Sequence, residues 1–149
     1  MKNNTNETDA KGVAPPTFLT HNVFIVWKPE YDLGIPIIDE QHRGIVTIIN
    51  SLHYGAQSNY IKNIISPTIG MLRSYADIHF QTEEHFLLTI DYPDAANHRL
   101  LHREYTSRLA GIERESSVDK DPLRLMGFLK KWWLGHICEE DTLFKSSFV

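Results

Sequence analysis

From Ile38 onward the apolar residues recur at alternating steps of three and four, the repeat that lays a single stripe along an α-helix. Four such stripes follow one another. Ile38, His42, Ile45, Ile49, Leu52 and Ala56 make the first, and Ile65, Ile69, Leu72, Ala76, His79, Glu83 and Phe86 the second. Ala95, His98, His102, Tyr105, Leu109 and Ile112 make the third. The fourth runs through Leu125, Leu129, Trp132, His136 and Leu143, with Met126, Trp133 and Ile137 beside it. Ser66-Pro67 is suited to a helix N-cap and first-turn proline, Tyr92-Pro93-Asp94 separates the second stripe from the third, and Asp121-Pro122 opens the fourth. The gaps are short, which favours antiparallel neighbours. No segment alternates with the period of a strand, and the pattern predicts an all-α four-helix bundle.

The chain before Ile38 reads differently. Residues 1–16 are polar, rich in Asn, Thr and Lys, and end in Pro15-Pro16, which predicts an extended, flexible N-terminal arm ahead of a bundle domain over 17–149. Between Phe18 and Ile38, Trp27, Tyr31, Leu33 and Ile35 are interrupted by Pro29, Gly34 and Pro36. A long helix is excluded there, but the aromatics predict a segment docked on the bundle.

Composition narrows the class. With 149 residues the natural expectation is one domain, large enough to bury a core without disulfides. A formal charge of −4 gives no basic footprint for nucleic acid. No apolar run reaches the roughly 20 residues a membrane span needs. The polar first residues do not resemble a secretory leader, and Cys138 is the single cysteine, so a cytoplasmic protein is expected.

The informative anomaly is polar residues in the apolar stripes. His42, His79, Glu83, His98, His102 and His136 stand where a bundle should be hydrophobic. A single histidine on such a face is usually a hydrogen-bonded core residue. Six together, spread over four helices, are another matter, because each unpartnered polar group costs about 1–3 kcal/mol against a total stability of about 5–15 kcal/mol. Metal ions satisfy them jointly, each ligand giving a lone pair. His79 with Glu83 and His98 with His102 are i,i+4 pairs, about 40° apart on one helix face. Spacing alone would join Glu140 to His136, leaving Asp141, at i+5, about 140° away round an α-helix. Five histidines and a pair of carboxylates exceed the needs of one ion and point to two. His21, His53 and His85 lie off the pattern, and Cys138 reads as a packed thiol.

These residues resemble the hemerythrin family in its single-domain bacterial form. The matching motifs, between Trp27 and Phe144, are Trp27…Tyr31-x-x-Gly34…Ile38-Asp39-x-Gln41-His42, His79-Phe80-x-x-Glu83-Glu84, Tyr92-Pro93…His98-x-x-x-His102, and Trp132-Trp133-x-x-His136-Ile137-x-x-x-Asp141. The resemblance implies an up-down-up-down bundle holding two iron ions, Fe²⁺ or Fe³⁺, bridged by Glu83, Asp141 and an oxo or hydroxo group. His98, His102 and His136 would complete one iron, and His42 and His79 the other, which keeps a position open. In this pattern it is Asp141, not Glu140, that ligates. The implied function is reversible O₂ binding for carriage, storage or sensing, with Phe80, Trp132, Trp133 and Ile137 lining the O₂ pocket. Family members often carry Leu where this chain has Trp133. O₂ is the expected ligand, alongside an unidentified redox or signalling partner protein, with no nucleic acid and no membrane.

Two other readings stay open. A di-iron enzyme that reduces O₂, peroxide or nitric oxide would use similar ions, although the Glu-x-x-His motif of carboxylate-rich di-iron proteins is absent. A zinc site lacks both His-Glu-x-x-His and the cysteines structural zinc prefers.

Overall fold

The computed structural model describes residues 23–57, 61–119 and 122–148. The expected arm over 1–16 lies outside these residues. Helix α1 spans Pro36–Gln57, α2 Ile61–Thr89, α3 Ala95–Asp119 and α4 Pro122–Trp132. α4 passes without a break into a π-helix over Trp133–Glu140, then a short α5 (Asp141–Leu143) and a 3₁₀ turn (Phe144–Ser147). Packing runs round a ring, α1 on α2, α2 on α3, α3 on α4 and α4 on α1.

The apolar stripes divide into two clusters, and their membership sets the topology. One end gathers Leu33 and Ile35 from the segment before α1, Ile38 from its start, Leu87 from the end of α2, and Phe144, with Tyr92 and Ala95 beside them. The larger cluster holds Ile45, Ile49 and Leu52 from later in α1, Ile65, Ile69 and Leu72 from early α2, Leu109 from α3, and Leu125 and Leu129 from α4. Starts and ends therefore alternate at each end of the bundle, which is the up-down-up-down order. The polar stripe residues fall between the two apolar clusters.

Residues 23–35 dock as the aromatics predicted. Ile25 N–H donates to Asn50 Oδ1 and Asn50 Nδ2 donates back to Ile25 O, both at 2.8 Å. Asp39 accepts from the backbone N–H groups of Leu33 (2.7 Å) and Gly34 (3.0 Å). Gly34, at φ +87°, takes the left-handed turn that brings its N–H onto that carboxylate.

Two sequence expectations need correction. α2 begins at Ile61, so Pro67 stands inside the helix and not in its first turn. Asn63 and Pro67 are both exposed, so the ring and the carbonyl it leaves without a donor face water, where the cost is least. Leu143, expected on the buried stripe, is 66% exposed, while Phe144 is fully buried. The π-helix carries one extra residue per turn and advances the inward face by one position.

Candidate metal centre

Four helices contribute to one buried cluster. α1 supplies His42, α2 His79 and Glu83, α3 His98 and His102, and the π-helix with its C-terminal boundary His136 and Asp141. All seven are buried. His42 Nε2 lies 3.2 Å from Asp141 Oδ2. His98 Nε2 sits between the carboxylates, 3.1 Å from Glu83 Oε1 and 3.4 Å from Asp141 Oδ1. The Nε2 atoms of His79 and His102 are each 3.4 Å from Glu83 Oε2, and that of His136 is 4.0 Å away.

These spacings resemble hydrogen bonds, but the directions are wrong. The Nε2 atoms of His42, His79, His98, His102 and His136, and all four carboxylate oxygens of Glu83 and Asp141, are buried with no hydrogen-bond partner. Nine ligand-type atoms facing one another without hydrogen bonds would be prohibitively costly in a dry core. Ligands about 2.1 Å from a shared ion, at right angles to one another, stand ~3 Å apart. The donor set therefore fits metal. Two groups could each hold an ion, Glu83 with His98, His102 and His136, and His79 with Glu83, His136 and Asp141. His42 adjoins the second group through Asp141.

The π-helix explains why the seventh residue is Asp141. Its backbone N–H donates to His136 O, five residues back, so Asp141 and His136 share a face. Asp141 Oδ1 lies 3.4 Å from Nδ1 of the His136 ring. Glu140, the partner spacing alone had suggested, falls one step out of phase. Its Oε2 reaches the same nitrogen, Nδ1, more closely, at 3.0 Å.

Three imidazoles are oriented from behind in this way. His136 Nδ1–H donates to Glu140, which also receives the Tyr105 hydroxyl at 3.4 Å. His102 Nδ1–H donates to Glu84 Oε1 (2.9 Å), and Arg99 Nε lies 3.0 Å from Glu84 Oε2. His79 Nδ1 lies 3.4 Å from Gln41 Oε1, whose amide donates to Thr82 Oγ1. A carboxylate can only accept, so Nδ1 carries the proton in His102 and His136 and the Nε2 lone pair faces the cluster. Spacing alone gives Gln41 and Glu84 no such role. The i,i+4 spacing of His136 and Glu140 is the one signal for these outer contacts, and by itself it suggests shared ligation.

Electrostatics agree with the geometry. Burial lowers His42 to about 4 and holds His79 and His136 well below the usual imidazole range, so these rings are neutral, the form that ligates. Burial pushes both carboxylates up. For Glu83 the imidazoles of His102 and His98 outweigh that effect and hold it low, while Asp141, facing Glu83, stays high. A cation between them would ionise both. Burial also raises Glu140, and takes Tyr105 to about 12 with help from Glu140. Cys138 is half-buried, and burial raises its thiol to about 11, which suits a packed, unreactive group.

The four residues expected to line the pocket are all buried in the larger cluster. Phe80 stacks on His102 at 4.0 Å between centroids, and Trp132 lies parallel to His136 at 6.2 Å. Ile137 is fully buried beside them in the larger cluster. Trp133 sets its ring edge-on to Trp27 (5.8 Å) and Tyr31 (5.6 Å). Of the histidines set aside, His53 stacks on Phe24, His85 is exposed, and His21 lies outside the described residues.

Residues 33–146 match the model of the hemerythrin HHE cation binding domain. The bacteriohemerythrin of Stenotrophomonas maltophilia (strain R551-3) is 30% identical over 123 residues, 80% of this chain and 78% of that protein. The bacteriohemerythrin of Clostridium acetobutylicum is 30% identical over 122 residues, 78% of this chain and 95% of that one. A crystal structure of wild-type hemerythrin superposes with a TM-score of 0.73 at 23% identity, covering 83% of this chain and 97% of its own. A leucine-to-alanine hemerythrin variant gives 0.75 at 22%, covering 85% and 98%. At such identities the superpositions establish the four-helix fold, while the domain match and the bacterial relatives go further: this chain belongs to the hemerythrin family.

Proposed function

We propose that the chain is a non-heme di-iron protein that binds O₂ reversibly through His42, His79, Glu83, His98, His102, His136 and Asp141. The observation that carries this reading is the set of nine buried, mutually facing nitrogen and oxygen atoms with no hydrogen-bond partner. Five imidazoles with two carboxylates suit iron better than an all-oxygen ion such as Mg²⁺ or Ca²⁺. Two irons, when bound, supply the electrons O₂ takes up on binding and returns on release.

The chain's own residues keep that exchange clean. Gln41, Glu84 and Glu140 hold three rings with Nε2 inward. Phe80 and Trp132 shield the outer faces of His102 and His136 from water, and Ile137 fills the space behind. Glu83 and Asp141 contact imidazoles from all four helices and would be the carboxylates that hold both ions.

The test is anaerobic loading with ferrous iron, iron counting, and optical spectra through cycles of air and deoxygenation. Two irons per chain and a visible charge-transfer band that appears with air and disappears without it are expected. A di-iron enzyme reducing O₂, peroxide or nitric oxide would consume its ligand, and its spectrum would not return on deoxygenation. One zinc per chain in the isolated protein would overturn both iron readings.

A further inference from the structure

The three imidazoles held from behind are not held alike. His79 meets a neutral amide, Gln41. His102 meets Glu84, whose other oxygen lies 3.0 Å from the Arg99 guanidinium, so that carboxylate's charge is largely offset. His136 meets Glu140, which forms no ion pair with a Lys or Arg among the described residues. Its remaining partner is the Tyr105 hydroxyl, 3.4 and 3.5 Å from its two oxygens. Tyr105 itself packs against the His136 ring at 5.1 Å. Glu140 is 28% exposed, enough burial for its charge to be felt beyond one contact.

Resting on the di-iron reading, we propose that Glu140 and Tyr105 form an adjustable hydrogen-bond relay that sets the electron donation of His136 to its iron and hence the reduction potential of the site. A carboxylate accepting from Nδ1–H makes the imidazole more basic at Nε2. A stronger donor favours Fe³⁺ over Fe²⁺ and lowers the potential. The Tyr105 hydroxyl draws charge from the carboxylate and moderates the effect. Glu140 and Tyr105 are thus positioning residues acting through His136. The π-helix is the structural condition for this role, since it turns Glu140 out of the ligand position and onto Nδ1.

The two groups act with opposite sign, and this separates the proposal from a merely structural role. Glu140→Gln keeps the shape, removes the charge and raises the midpoint potential, with iron affinity lowered about 10–100-fold by chelator competition. Tyr105→Phe keeps the ring, frees the carboxylate and lowers the potential. In the double variant, Tyr105→Phe adds nothing further. Thermal unfolding of the metal-free variants checks that each folds. If both single variants move the potential the same way, or neither moves it while wild type holds two irons, the relay is overturned and the di-iron reading survives. Wild type that takes up no iron overturns both.

Discussion

The backbone N–H of Asp141 donates to the carbonyl of His136, five residues earlier, and the two side chains meet inside the bundle at 3.4 Å. An α-helical register would have presented Glu140 and Leu143 to the interior. The π-helix presents Asp141 and Phe144 in their place, both fully buried, and leaves Leu143 in solvent. One change of helical pitch therefore selects both a carboxylate of the centre and the aromatic that closes one apolar cluster.

Asp141→Asn and Glu140→Gln should separate the two acidic neighbours. Asp141→Asn removes a charge from among the ligand atoms, and bound iron is expected to fall from two per chain to one or none. Glu140→Gln is expected to retain two. Iron counting after gel filtration decides, and the opposite result would return the ligand to Glu140.

Acid should destabilise the metal-free chain. His42 is depressed to about 4, so between there and 6.5 the unfolded state binds a proton that the native state does not, and stability falls as pH falls. A shift of this size is worth about 3 kcal/mol for His42. His79 and His136 act in the same direction. Asp141 and Glu140, raised when folded, act against them as pH rises through the carboxylate range, while Glu83, held low, acts with the three histidines. Urea unfolding at pH 7 and pH 4.5 is expected to show lower stability at the acid end, and equal midpoints would contradict the neutral, buried imidazoles. Iron should leave the loaded chain over the same range, and full retention well below pH 5 would argue against histidine ligation.

Metal removal should lower thermal stability. An ion bound only by the native state contributes about 4 kcal/mol at a thousandfold excess over its dissociation constant. For a chain of this size that is ~8–16 °C in melting temperature. Differential scanning calorimetry of iron-loaded and chelator-treated protein reads it directly, and coincident melting curves would contradict a native-state site.

Phe80 and Trp133 should behave differently on truncation. Phe80→Ala removes the ring stacked on His102 and should cost about 3–5 kcal/mol while exposing the centre to water, seen as faster autoxidation. Trp133→Leu removes edge contacts with Trp27 and Tyr31, at about 1–3 kcal/mol. If Trp133 also lines the O₂ pocket, the leucine variant changes the autoxidation or O₂ release rate. Stopped-flow rates equal to wild type would confine Trp133 to its contacts with Trp27 and Tyr31.

Much of the molecule was legible from periodicity. The alternating three-and-four steps place all four helices, and six polar residues within those stripes mark the centre. Pro67 misled because a proline signals a helix start only statistically, and an exposed position in the second turn tolerates it. Spacing offered Glu140 only as a fellow ligand of His136 and gave Glu84 no role, because their partners, Tyr105 and Arg99, come from α3 and meet them only in the folded bundle.

The amino-acid sequence by itself determined the fold class, the antiparallel order and a polar cluster that only shared ligation could satisfy, because each follows from local helical repeat and the cost of burying polar groups. Asp141 was named by family resemblance, against the α-helical repeat. Only the tertiary structure supplied the physical reason, since nothing in the spacing of residues 133–140 announces i→i+5 hydrogen bonding. That pitch brings His136, Asp141 and Phe144 to the interior, where the groups they meet come from the other three helices.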